Sequence, residues 1–170
     1  MQNQNRSILI TGTQGAGKNT ILGSIQVMAT REKFHMVTSS NFGVGITFDP
    51  KVFDTELAKW QESTDCRKGL FPNKYLHVLV CGSFLKHSDT KCFDTVICVC
   101  VSEDEQRARL REQGLSSKSV DKIIEEQTPY LMFASVPGAY VLDTTGISVD
   151  SPIYKEHLDS IWGRVKGLTP

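Results

Sequence analysis

The stretch Gly12-Thr13-Gln14-Gly15-Ala16-Gly17-Lys18-Asn19-Thr20 limits what this chain can fold into more than any other. It follows Ser7–Gly12 (SILITG), a short β-branched-rich run that ends in glycine and reads as a buried strand. After it, from Gly17 to about Ala29, the spacing of Ile21, Leu22 and Ile25 is helical. A buried strand that turns through spaced glycines into a helix brings backbone amides and a helix N-terminus to one point, which suits an anion. Gly12, Gly15 and Gly17 permit positive φ and close approach of a phosphate. Lys18 adds a point charge where the β- and γ-phosphates of a nucleotide would lie.

The pattern G-x-x-x-x-G-K normally continues with Ser or Thr, whose hydroxyl is a magnesium ligand; here Asn19 follows. Magnesium keeps several waters and takes one or two protein ligands, so the Asn19 carbonyl oxygen can reach the metal or one of its waters. Capping or packing at the helix start is the equally weighted alternative. Thr20 points about 100° further round the helix. The expected cofactors are ATP and Mg2+. The expected ATP-binding set is Gly12, Thr13, Gln14, Gly15, Ala16, Gly17, Lys18, Asn19 and Thr20, with Asn19 as the candidate metal ligand.

The rest of the chain alternates strand and helix. Phe34–Ser39 reads as a strand followed by a turn-rich stretch, and Pro50–Gln61 as a helix with proline in its first turn. Ser63–Asn73 reads as irregular. Tyr75–Cys81 and Thr95–Val101 are near-continuous apolar runs, as in parallel sheets covered on both faces. Ser102–Gln113 has capping-box spacing, with Ser102 and Glu105 three apart, and Ser117–Gln127 repeats the polar start. Tyr140–Asp143 is a short last strand, and Ser151–Val165 is an amphipathic helix with Leu158, Ile161, Trp162 and Val165 available to one face. The order implies one α/β domain over residues 1–170 with a parallel sheet.

Lys+Arg and Asp+Glu are equal at 19 each, which argues against bulk binding of nucleic acid or a membrane surface. No apolar run is long enough to span a bilayer, and the polar start MQNQNRS does not read as a secretory leader. The five cysteines form no C-x-x-C pair and read as reduced thiols, so a cytoplasmic location is expected. The histidines show no metal-ligand spacing. The oligomeric state is left open.

Other nucleotide-loop branches fit poorly. Asp143-Thr144-Thr145-Gly146 matches D-x-x-G, but it lies near the C-terminus, and Asn73-Lys74-Tyr75-Leu76 lacks the acid that reads guanine. The third strand ends in Cys81-Gly82-Ser83, without the acid of motor ATPases. Small-molecule kinases remain. The stretch from Phe93-Asp94-Thr95-Val96-Ile97 through Glu105-Gln106, Arg109-Leu110, Gly114-Leu115-Ser116 and Ile124 to Gln127-Thr128-Pro129 resembles the second half of dephospho-CoA kinases. Tyr140–Gly146 resembles their loop around the adenine, which adds Asp143, Thr144 and Gly146 to the expected ATP site.

That resemblance implies a three-layer P-loop kinase fold with a five-stranded parallel sheet. It implies a helical lid over about 107–135. The implied activity moves the γ-phosphate of ATP to the 3′-hydroxyl of dephospho-CoA, a small-molecule acceptor. Of Arg107, Arg109 and Arg111, which cannot all share one helix face, Arg109 and Arg111 are favoured beside Lys18 as catalytic residues. Phe34–Asn41 resembles the acceptor strand and turn of adenylate kinases, which makes Thr38, Ser39 and Ser40 acceptor candidates. Two alternatives follow: a nucleoside monophosphate kinase, and a nucleotide-binding protein with little turnover. The apolar run Tyr130–Phe133 is weighed as acceptor pocket, lid packing or partner contact, and Trp60 and Trp162 as packing residues.

Overall fold

The structure, a computed structural model, describes residues 6–32, 34–38, 77–81 and 93–167. Ser39, Ser40, the expected helix over 50–61 and the irregular stretch 63–73 lie outside these residues. Thr38 closes a strand, but its side chain is not among those described.

The chain runs β1 (Arg6–Gly12), α1 (Lys18–Arg31), β2 (Phe34–Thr38), β3 (His77–Cys81) and β4 (Thr95–Cys100). It continues through α2 (Glu103–Glu112), α3 (Ser117–Glu125), the one-turn α4 (Thr128–Leu131) and a 3-10 turn (Met132–Ser135). β5 (Tyr140–Asp143) and α5 (Pro152–Lys166) complete it. The five strands form one sheet in the order β2-β3-β1-β4-β5, every neighbouring pair parallel. β1 is central, and the chain winds first to one side of it and then to the other. The loop after β1 therefore opens at the C-terminal edge where the winding reverses, the usual ligand crevice of such sheets.

The pleat sorts the side chains. Ile8 and Ile10 of β1 and Ile97 and Val99 of β4 share one face, with Ile10 directly opposite Ile97. Ile21, Ile25 and Ala29 of α1 cover that face at the helical spacing of four, and Ile161 and Val165 of α5 join them. Each fully buried isoleucine contributes roughly 1.5–3 kcal/mol relative to exposure. Leu9 and Val96, also buried, lie on the other face. α5 starts as the sequence indicates: Ser151 accepts a hydrogen bond from the Tyr154 amide at 3.1 Å, Pro152 occupies the first turn, and Gly167 closes the helix in the left-handed region.

Two local expectations differ. α3 stops at Glu125 rather than Gln127, because Thr128-Pro129 begins a new turn. Ser102 is the N-cap of α2 but its side chain makes no capping bond, and its amide donates to Thr145 Oγ1 rather than to Glu105. The region about 107–135 holds the end of α2, then α3 and two short turns, and Arg107 joins α2 to α3 through Asp121 at 2.5 Å while also binding Glu103. Leu131 and Met132 are 42% and 49% exposed, so at least half of the 130–133 run is not sealed in a core.

Candidate functional site

The loop after β1 is shaped by backbone that only glycine tolerates. A Cβ on Gly12, whose φ is 137°, would stand 1.9 Å from the Val99 carbonyl oxygen, so glycine is what lets β1 close onto β4 at this point. Gly15 and Gly17 also have positive φ, and Gly17 caps α1 with no side-chain bond. The first-turn amides of α1 thus meet no side-chain acceptor at the cap and are available to an anion. Lys18 opens the helix and is 8% exposed. Its ammonium donates to the Gly12 and Thr13 carbonyls at 3.1 and 2.6 Å, which holds the charge at the mouth of the loop.

Two further segments brace this loop. From α2, the buried Gln106 donates through Nε2 to the Gln14 carbonyl at 2.7 Å. Arg109 donates through Nη1 to the Gly15 carbonyl at 3.3 Å and Thr144 Oγ1 at 3.1 Å, and through Nη2 to the Thr144 carbonyl at 3.0 Å. Its Nη2 also pairs with Glu105. From the loop after β5, Thr144 Oγ1 stands 2.9 Å from the Ala16 carbonyl and 3.1 Å from the Cys100 carbonyl, which share its proton. Thr144 is 6% exposed, so loop, strand end and helix meet at one buried hydroxyl.

The acids nearby hold backbone rather than face the cleft. Glu105 accepts the Gly146 amide at 2.7 Å, the bond that replaces the expected capping box. That amide, followed by the Arg109 bond, holds the Glu105 carboxyl below its usual range. Asp143 accepts from the Thr145 hydroxyl at 2.6 Å and the Thr145 amide at 2.9 Å, which likewise lowers its pKa. The Thr145 hydroxyl oxygen in turn accepts the Ser102 amide at 2.8 Å. On the sheet face that carries Thr11, Cys98 is a buried thiol pushed up to about 11 by burial and by Cys100, with Lys18 opposing; it stays protonated at neutral pH.

A cleft of about 800 Å³ opens over the loop. Its lining includes Gly15, Gly17, Lys18 and Asn19 of the loop, Arg109 and Thr144, and Ile147, Val149 and Tyr154. It combines a cation and loop amides with apolar side chains, as a nucleotide site requires, and the volume suits one. Thr13 Oγ1, beneath the loop, is buried without a hydrogen-bond partner.

Of the residues expected from the sequence, Gln14, Gly15, Ala16, Gly17, Lys18, Asn19, Thr20, Arg109 and Thr144 line this cleft. Gly12 and Thr13 lie under it, while Asp143 and Gly146 hold the loop after β5. Arg111 is exposed on α2 and does not line the cleft, which follows from its turn of about 200° from Arg109. The bracing roles of Gln106 and Glu105 and the apolar wall of Ile147, Val149 and Tyr154 were not foreseen. The one signal for the wall was Tyr154, a polar-tipped aromatic in the first turn of an amphipathic helix. Among the described residues no group of three His, Cys, Asp or Glu could hold a metal.

A parallel α/β sheet with strand order 2-3-1-4-5 and a glycine loop opening onto α1 is the P-loop kinase fold. Solved structures share it at low identity. The Thermus thermophilus protein TT1252 is 16% identical, covering 98% of this chain and 100% of that one with a TM-score of 0.59. APE1195 is 15% identical over 96% of both chains with a TM-score of 0.56. Thymidylate kinase from Candida albicans is 10% identical, covering 96% of this chain and 92% of that one with a TM-score of 0.52. Neither a protein-family model nor a curated protein sequence matches the chain. Among the described residues no helix is long and apolar enough to cross a membrane.

Proposed function

We propose that this chain binds ATP with magnesium through the Gly12–Thr20 loop and transfers the γ-phosphate to a small-molecule acceptor, with the 3′-hydroxyl of dephospho-CoA as the first choice. The observation that carries the reading is the braced loop: three positive-φ glycines, an uncapped helix start and the Lys18 ammonium, held from behind by Gln106, Arg109 and Thr144. Such preorganisation suits phosphoryl transfer, where catalysis is mainly positioning and electrostatics. Lys18 places its charge on the phosphates. Arg109, fixed by Gly15 and Thr144, orients the loop and presents its guanidinium to the cleft. Arg111 enters the proposal as a lid charge that meets the nucleotide on closure. Magnesium supplies charge neutralisation on the phosphates, with the Asn19 carbonyl oxygen as its protein contact.

Dephospho-CoA is favoured by the resemblance over Phe93–Pro129. A monophosphate acceptor is the second reading, supported by the resemblance of Phe34–Asn41 to adenylate kinases and by the fold shared with thymidylate kinase. Thr38, Ser39 and Ser40 are the proposed acceptor contacts in either case. Calorimetry with ATP tests the loop: Lys18→Ala removes a charge-assisted contact of about 1.5–3 kcal/mol, so affinity falls roughly ten- to a hundredfold. Equal affinity in the two proteins would refute the assignment. A coupled ADP-release assay with dephospho-CoA, AMP, CMP, UMP and dTMP then ranks acceptors. Fastest turnover on a monophosphate selects the second reading. Tight ATP binding with no turnover on any of them identifies a nucleotide-binding protein instead.

A further inference from the structure

Among the apolar side chains of the cleft lining, Tyr154 brings a phenol hydroxyl, and its hydrogen bonding is directional. Tyr154, in the first turn of α5, is 8% exposed and lines the cleft together with Ile147 and Val149. With Val149 it also borders a shallower hollow of about 490 Å³ that reaches Ser24 and Leu158. Tyr154 Oη lies 3.1 Å from Ser24 Oγ, and Ser24 Oγ lies 3.0 Å from the Thr20 carbonyl oxygen one helical turn back. A carbonyl only accepts, so the Ser24 proton goes to Thr20. The Ser24 oxygen is then the acceptor for the phenol proton. With that proton committed, Tyr154 Oη keeps a free lone pair and no donor. Ile21, Ile147 and Val149, which also line the cleft, have no polar side-chain atoms.

We propose, resting on the nucleotide reading above, that Tyr154 is a specificity-determining residue that selects bases bearing an exocyclic amine over bases with a carbonyl at the same position. Phosphates at Lys18 place the base against the apolar side chains, with its far edge toward Tyr154. An amine there donates to the phenol oxygen. A carbonyl there faces another lone pair with no proton between them, and a site built to satisfy one partner rejects the analogue that leaves it unpaired. Ser24 is the positioning residue, because it fixes the direction of the phenol proton.

The test compares ATP with ITP, the same purine with a carbonyl in place of the amine. Both are titrated by calorimetry into wild type, Tyr154→Phe, Ser24→Ala and Lys18→Ala. In wild type ATP binds about tenfold tighter. Tyr154→Phe brings the two nucleotides within about threefold of each other by weakening ATP. Ser24→Ala releases the phenol proton to the cleft, so ITP tightens while ATP stays within about twofold of wild type. This gain is one that a merely structural role for the pair would not produce. Equal binding of ATP and ITP in wild type, with Lys18→Ala weakening both, would overturn the selectivity and leave the nucleotide reading standing. A preference that survives Tyr154→Phe would overturn it too. Binding of neither nucleotide overturns both.

Discussion

Replacing Thr144 with valine keeps the side-chain volume and removes the hydroxyl at which loop, strand end and helix meet. The Cys100 carbonyl keeps the Thr144 amide at 2.9 Å and remains satisfied. The Ala16 carbonyl loses the hydroxyl at 2.9 Å, inside a residue with no exposed surface. A buried carbonyl left without a partner costs about 1–3 kcal/mol. Arg109 loses one of its bonds but keeps the Gly15 and Thr144 carbonyls, so the further loss there is about 1 kcal/mol or less. The expected destabilisation is about 2–3 kcal/mol, a drop in Tm of roughly 5–10 °C for a chain of this size. Urea unfolding with an unchanged m-value measures it, and Thr144→Ser, which keeps the hydroxyl, should stay within about 1 kcal/mol of wild type. ATP affinity should fall with the valine variant, because Ala16 belongs to the loop. A valine protein as stable as wild type, with unaltered ATP binding, would refute the argument that this hydroxyl braces the site.

Gly12→Ala should unfold the domain, since the added carbon meets the Val99 oxygen at 1.9 Å; Gly23→Ala, with nothing within 4 Å in a helix interior, should instead stabilise by about 0.5–1 kcal/mol, and thermal melts of the two variants give the contrast. Glu105 has a pKa held below its ordinary 4.5, so its contribution is present in full above that value and is lost as pH falls through the lowered one. Glu105→Gln should therefore flatten the acid limb of the stability profile below about pH 4.5 and leave the shape between pH 6 and 8 unchanged, as denaturation at each pH would show. Asn19→Ser should change the apparent magnesium requirement of ATP binding by less than about tenfold. A wild-type protein indifferent to magnesium beside a serine variant that needs it would remove the metal role from this loop.

What the sequence revealed follows from how far each signal acts along the chain. The Gly12–Lys18 loop and the alternation of apolar runs are local patterns, so the phosphate-loop motif, the parallel sheet and the start of α5 at Ser151-Pro152 could be read directly. The capping box at Ser102 shows the opposite case. Its spacing was right, but Arg109 and the Gly146 amide, 41 residues away, offered Glu105 a better partnership than the local cap. The brace from Gln106 to Gln14 spans 92 residues, and nothing on a helix surface distinguishes that glutamine from a solvated one. Arginine spacing on α2 was legible only as a limit on shared faces. The structure adds which face meets the loop, putting Arg109 on the cleft and Arg111 at the surface.

The bond from Thr144 to Ala16 closes a circuit of 128 residues. During synthesis the glycine loop is made well before the segment that supports it. Its buttress exists only after β5 has docked beside β4 and carried Thr144 across the sheet edge. Until then the loop lacks this bond, and under the proposed function nucleotide would reward the folding step that forms it. A ligand that binds the finished state alone pulls that step toward completion by mass action. Under the proposed function, cellular nucleotide would then act on the maturation of this domain as well as on its chemistry.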